Sequence, residues 1–251
     1  MIKRAAAALF DLERRRMMEE RMLTFIHSFD SEKPAYLDAL ERYAKETNVP
    51  IIRPQMQSLL RFLVTWGRPM QILEVGTAIG FSALLMSEYA PKGCHITTIE
   101  KYEKRIPLAK ENFEKAGKSD CITLIEGDAA EILASMKQDG AFDLIFMDAA
   151  KGQYIHFLPD IRRLLSPTGL LVSDNILQDG ELMESKYAVI RRNRTIHNRM
   201  RAYLYELTHC EDLETTILPI ADGVTLSARR SAQTGKEMGD KKSEQSKHEP
   251  E

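Results

Sequence analysis

Cysteine is scarce in this chain, with three in 251 residues, at Cys94, Cys121 and Cys210. They form neither a CxxC pair nor a disulfide framework, so a reducing compartment is expected and the thiols read as small buried apolar groups. No apolar segment reaches the length needed to span a bilayer. The opening "MIKRAAAALFDLERRR" has a basic end and an alanine run, but its apolar stretch, 5–10, is too short for a signal peptide and runs into charges. Asp11 and Glu13 argue against an organellar transit peptide, and a cytoplasmic protein with no membrane partner is expected. An excess of one charge is missing too. A formal net charge of −2 offers no bulk attraction for nucleic acid and leaves only local basic patches. Internal repeats are absent.

What is present is ordinary globular material, 43% hydrophobic and 29% charged, long enough for one domain with a substantial core. Residues 1–34 read as an N-terminal helical extension, in which "DLERRRMMEERMLTFI" suggests a charged helix. Residues 231–251 carry nine Lys, Asp or Glu and little to bury, so a disordered tail is expected. The domain proper is 35–230. Helices fit 35–47 and 55–66, the second following Pro54.

From Met70 onward short apolar runs alternate with helical patterns. The runs are "QILEV" (71–75), "HITTIE" (95–100), "CITLIEG" (121–127), "FDLIFMD" (142–148) and "GLLVSDN" (169–175). Helical periodicity occupies 81–89, 103–116, 129–138 and 151–165. Strands without polar alternation, separated by helices, indicate a parallel sheet buried on both faces, a doubly wound α/β domain. A helix over 187–208 follows, and "TTILPI" (215–220) with "GVTLSARR" (223–230) forms a closing pair.

Ligands in such sheets bind beyond the carboxyl ends of the strands. The first strand ends in "EVGTAIGFS", where Gly76 and Gly80 permit a tight turn against a helix N-terminus. This is not the dinucleotide GxGxxG, because Ala78 stands at a glycine position. The second strand ends in Glu100, placed to accept hydrogen bonds from a ribose diol. The third puts Asp128 and Ala129 on the same rim, with a helix cap as the alternative role for Asp128. These tips suggest a nucleoside-containing ligand.

The fourth strand ends in Asp148 and the fifth in Asp174–Asn175. As neighbours in the sheet they bring two carboxylates and an amide oxygen together, a hard all-oxygen set suited to Mg²⁺. Without a cation, paired carboxylates repel. Lys151, one turn beyond Asp148, is then the candidate general base.

In order and spacing, "ILEVGTAIGFSA", Glu100, "EGDA", "DAAKGQY" and "SDN" resemble the cation-dependent O-methyltransferases, which include catechol and caffeoyl-CoA enzymes and bacterial relatives acting on tRNA. The resemblance covers roughly 35–230, and "ERYAKETNVPIIRPQ" looks like the bacterial branch that methylates 5-hydroxyuridine at the tRNA wobble position. It implies a Rossmann-like class I methyltransferase fold with a seven-stranded, mostly parallel sheet, a homodimer, and S-adenosylmethionine as methyl donor. Ile52, Glu74, Gly76, Ser82, Glu100, Asp128, Ala129 and Asp148 would line the donor's pocket. Asp148, Asp174 and Asn175 would hold Mg²⁺, and Lys151 with Asp148 would carry the catalysis.

Catechol and 5-hydroxyuracil both present two adjacent oxygens, so the metal site cannot separate them. The expected helix at 187–208 carries Val189, Ile196, Met200, Tyr203 and Leu207 on one stripe and Arg191, Arg194 and Arg201 opposite. Those arginines are candidate contacts to the phosphates of a tRNA anticodon loop, with a solvated face or dimer contact as the alternative. His197, placed near Arg191 rather than on the apolar stripe, is given no catalytic role. The expected substrate is therefore tRNA wobble 5-hydroxyuridine, with a small phenol of the catechol or caffeoyl type as the alternative.

Overall fold

A computed structural model describes residues 20–230 except Asp179, together with 14, 17 and 18. The alanine-rich start and the charged tail lie outside the described residues. Of the N-terminal extension, residues 20–27 are helical. Helix α1 (Ala35–Glu46) buries Leu37, Leu40 and Ala44 at helical spacing, and α2 (Pro54–Gly67) buries Met56, Leu60 and Val64. Pro54 opens α2 and Arg68 closes it in the left-handed conformation. No helix among the described residues is long and apolar enough to cross a membrane.

Seven strands follow: β1 (Gln71–Val75), β2 (His95–Glu100), β3 (Ile122–Glu126), β4 (Phe142–Met147), β5 (Leu165–Ser173), β6 (Leu213–Leu218) and β7 (Val224–Arg229). The sheet order is β3-β2-β1-β4-β5-β7-β6. The first five run parallel, and β7 lies antiparallel to both β5 and β6. Between β1 and β4 the strand order reverses, so their crossovers leave by opposite faces and open a crevice at the carboxyl tips.

Both faces are covered. Ile72, Ile96, Phe146 and Val172 pack with α1, α2, α3 (Phe81–Tyr89) and α4 (Ile106–Lys115). Leu73, Val75, Ile145 and Leu171 face α5 (Ala129–Ser135), α6 (Tyr154–Leu164) and α7 (Arg194–His209). Neighbouring residues on one strand thus enter opposite cores, which is why these runs show no polar alternation.

Several boundaries differ from the sequence expectation. Helix α4 begins at Ile106 because Pro107 fits its first turn. A 3-10 turn (Lys151–Gln153) precedes α6. Strand β5 starts at Leu165, and its Pro167 is tolerated beside a register irregularity against β4. The largest correction concerns 187–208, whose α-helix begins only at Arg194. The Arg194 guanidinium donates to the carbonyls of Val189 and Tyr187, and Asn193 N–H closes a 3-10 turn on Ile190 O. Those carbonyls are therefore satisfied without helical amides.

The ladder runs one residue past each strand end. Gly76 N–H donates to Ile99 O, Asp148 N–H to Val75 O and Asp174 N–H to Met147 O, each at 3.0 Å. Gly76 adopts φ +96°, and a Cβ there would sit 2.3 Å from Asp148 O. Gly76→Ala should therefore cost about 3 kcal/mol, roughly 6–12 °C in thermal unfolding. Gly67→Ala, where a Cβ meets nothing within 4 Å, should leave stability equal or higher. Equal melting of the two variants would contradict the close approach at Gly76.

Candidate active site

A cleft of about 810 Å³ runs along the carboxyl tips of the parallel strands, a size that suits a small ligand or cofactor. Its wall includes Ile52, Gly76, Ser82, Glu100, Asp128, Ala129 and Asp148 from the nucleoside side of the sequence reading, and Lys151 and Asn175 from the metal side.

At the first tip, Ala78 holds φ +49°, the left-handed conformation for which a glycine is usual. Its N–H donates to Glu100 Oε2 at 2.8 Å, while Glu100 Oε1 accepts the N–H groups of Lys101 and Tyr102. Glu100 therefore straps the β1–α3 turn to β2, which supports the turn without a third glycine. A carboxylate offers about four lone-pair positions, so one remains for a ligand hydroxyl. Asp128 caps α5 through Ala130 N–H and pairs with Lys101. The cap holds its carboxyl below the usual carboxylate range, and the side chain still faces the cleft. Ile52 is buried, its carbonyl held by the Gln57 side-chain amide.

Glu74 lies deeper than the other residues expected around the donor. Its position on β1 aims it into the layer under the turn, where it is fully buried and off the cleft wall. The Thr98 hydroxyl donates to one oxygen, Thr77 and Ser82 lie beside it, and the other oxygen has no partner. Burial pushes this carboxyl up to about 7, against those hydroxyls, and the charge of Asp148 adds to the rise. Glu74 supports the turn from below.

At the β4 and β5 tips the expected trio does converge. Lys151 Nζ donates to Asp148 Oδ1 at 3.0 Å and Asn175 Oδ1 at 2.9 Å. Asp174 is fully buried; its Oδ1 accepts Asn175 N–H at 2.7 Å and its Oδ2 has no partner. Burial, followed by the nearby Asp148 charge, raises the Asp174 carboxyl to about 6. Asn175 takes φ +54°, which turns its amide back over the tip. No group of three or more His, Cys, Asp or Glu among the described residues is placed to hold a metal. The candidate set is instead two carboxylates and an amide. An ammonium bridging two of them, with a buried unpartnered carboxylate oxygen on the third, marks a place that attracts a hard cation, so these residues fit Mg²⁺.

The remaining candidates lie elsewhere. Arg191, Arg194 and Arg201 are absent from the cleft wall. Arg194 is spent on local carbonyls and Arg201 reaches Glu184 O at 3.5 Å. His197 is buried rather than beside Arg191, its Nε2 3.1 Å from Glu184 O. Sequence reasoning missed Tyr154, whose buried hydroxyl touches Lys151; its spacing three residues on within "DAAKGQY" was the available signal. It also missed Gln178, Glu181 and Asn193, which line the same cleft, with the Asn193 amide donating to both Glu181 oxygens.

The shift at Glu74 sets a pH dependence. The folded protein keeps a proton that the unfolded chain releases above about 4.5, so this contribution is full below pH 4.5 and is lost as pH rises through 7. Glu74→Gln keeps the shape and removes the titration. Its stability relative to the parent should rise by on the order of 3 kcal/mol between pH 4 and pH 8, read by denaturant unfolding. A difference independent of pH would contradict the buried carboxyl.

Known proteins resemble this chain in sequence and fold. The O-methyltransferase family model matches residues 27–230. Catechol O-methyltransferase of Niastella koreensis is 32% identical over 157 residues, covering 61% of this chain and 71% of that protein. Caffeoyl-CoA O-methyltransferase 1 of Eucalyptus globulus is 30% identical over 166 residues, covering 63% and 66%. The structure of an SAH-bound methyltransferase of Podospora anserina matches with a TM-score of 0.76 at 26% identity, covering 86% of this chain and 96% of that one. Over that span, and with this chemistry at its strand tips, the chain belongs to the cation-dependent O-methyltransferase family and is an S-adenosylmethionine-dependent O-methyltransferase.

Proposed function

We propose that the chain methylates one hydroxyl of a small phenol bearing two adjacent oxygens, of the catechol or caffeoyl type. The meeting of Asp148, Asp174, Asn175 and Lys151 at two adjacent strand tips inside one cleft carries methyl transfer to an oxygen pair, and the acidic Glu181 on the same wall, with Arg191, Arg194 and Arg201 absent from it, favours a small phenol. The names of the relatives support the same substrate class.

In this reading Ile52, Gly76, Ser82, Glu100, Asp128 and Ala129 hold S-adenosylmethionine, with the free acceptor position of Glu100 for the ribose diol. Asp148, Asp174 and Asn175 would hold Mg²⁺, which when bound supplies Lewis acidity toward a hydroxyl and a template for two oxygens. Acting as the free amine, Lys151 takes the hydroxyl proton at Nζ and becomes the ammonium. The phenolate oxygen then forms a bond to the methyl carbon as the carbon–sulfur bond breaks, leaving the thioether product. The cleft walls supply alignment, the larger part of the advantage in such a transfer.

A second reading keeps tRNA wobble 5-hydroxyuridine, whose 5-hydroxyl and 4-carbonyl offer the same oxygen pair, and an anticodon loop as partner. The exposed Arg191, Arg192 and Arg201 favour it. Their absence from the cleft wall, and the acidic Glu181 on it, favour the small phenol. A homodimer is proposed as well, seated on the exposed Phe25, Phe29, Phe62 and Trp66.

Lys151→Met should lower kcat by about 10²–10⁴ while the circular dichroism spectrum stays native, measured as formation of the thioether product with catechol. Asp174→Ala should abolish transfer while the circular dichroism spectrum stays native. Full activity in Lys151→Met would remove the base. Rapid methylation of tRNA carrying 5-hydroxyuridine, with none of catechol or caffeoyl substrates, would move the substrate to the second reading.

A further inference from the structure

Tyr154 is fully buried at the start of α6, and its ring packs edge-on against Tyr203, with centroids 5.4 Å apart. Its hydroxyl touches four groups. Ala149 N–H donates to it at 3.3 Å and Lys151 Nζ at 3.2 Å. Met147 O lies at 3.1 Å and Asp174 O at 3.2 Å. A phenol has one proton and two lone pairs. Two donors already point at the oxygen, so its own proton must go to the carbonyls of Met147 and Asp174. The hydroxyl therefore joins the β4 tip, the β5 tip, the following turn and the lysine at one atom.

We infer that Tyr154 is a positioning residue for Lys151, holding the amine at the strand tips when Asp148 and Asn175 turn their oxygens to a cation. The inference rests on the reading of Lys151 as the base. The ammonium has three N–H groups, and its partners are Asp148 Oδ1, Asn175 Oδ1, Tyr154 OH and Asp174 O. The first two belong to the candidate cation set. Once they are engaged, the Tyr154 hydroxyl at 3.2 Å and the Asp174 carbonyl at 3.4 Å remain. Both lie under the lysine, on the sheet side. Without them a four-carbon side chain is free to swing into solvent. Tyr203 has no such role, because its hydroxyl pairs with Ser173 Oγ at 2.6 Å and does not reach Lys151.

The test needs no substrate. Full-length protein is acylated with limiting acetic anhydride, and labelling of Lys151 is read by peptide mass spectrometry against the exposed Lys45 and Lys115. Tyr154→Phe keeps the ring and loses the hydroxyl; Lys151 should then label about threefold faster or more, the scale of one hydrogen bond lost. Tyr203→Phe, which removes the neighbouring buried hydroxyl, should leave that rate unchanged. Equal labelling in Tyr154→Phe and the parent overturns the inference, as does an equal rise in Tyr203→Phe. Should Tyr154→Phe fail to fold, Asn175→Ala decides instead. With Tyr154 intact, Lys151 should still label well below Lys45, and labelling at the Lys45 rate overturns the tether. A catalytic cycle with catechol adds the mechanistic arm. Tyr154→Phe should lower kcat more than it changes KM, and adding it to Lys151→Met should cost nothing further. Additive losses would mean that Tyr154 acts apart from the lysine. If Lys151→Met keeps full activity, the base assignment fails, while the labelling still decides whether Tyr154 holds the amine.

Discussion

Two carboxylates and an amide oxygen are forced together because β4 and β5 are adjacent parallel strands of equal reach. Their last ladder bond, Asp174 N–H to Met147 O, fixes the relative height of Asp148 and Asp174. Left alone, such a pair repels; at Asp174 burial first and the Asp148 charge second push the carboxyl toward its neutral form. The Lys151 ammonium offsets part of that repulsion, and Tyr154 lies beneath as the hydroxyl on which tips and lysine converge. The rest of the cleft is arranged around this charged point. Gly76 lets β1 approach the Asp148 backbone, and Glu100 straps the turn that follows.

The donor half shows the same economy by different means. Its turn has glycines at 76 and 80 but alanine at 78, in a conformation that costs an alanine about 1–2 kcal/mol. The charge-assisted bond from Ala78 N–H to Glu100 offsets that strain, while the same carboxylate keeps an acceptor position facing the cleft. One residue thus shapes the turn and faces the ligand. Glu74, one layer below, accepts the Thr98 hydroxyl of β2 and lies beside Thr77 of the turn and Ser82 of α3.

The parallel strands were legible because each apolar run is short, unalternated and ended by an acid or glycine. β1 and β2 match their expected bounds to the residue, and α3 does as well. The tip residues were legible for the same reason, since strand order alone brings Asp148 to Asp174. The depth of Glu74 was not legible, because its position in the chain gives its distance from the tip and not the face it enters. The arginine stripe failed for another reason. A helical projection assumes a continuous helix, whereas Arg194 supplies side-chain donors to the carbonyls of 187 and 189 and the helix starts late. Glu181, Asn193 and Gln178 come from the loop between β5 and α7, where no periodicity exists to read.

The proposed reaction depends on a divalent cation at the tips of β4 and β5 acting on a substrate with two neighbouring oxygens. The most direct measurement is methyl transfer to catechol after exhaustive chelation, followed by stepwise return of Mg²⁺, with monohydroxy phenol as the comparison acceptor. Turnover that vanishes on chelation, returns saturably with Mg²⁺ and is absent for the monohydroxy phenol is the predicted result. Undiminished methylation of either acceptor in chelated buffer would contradict it.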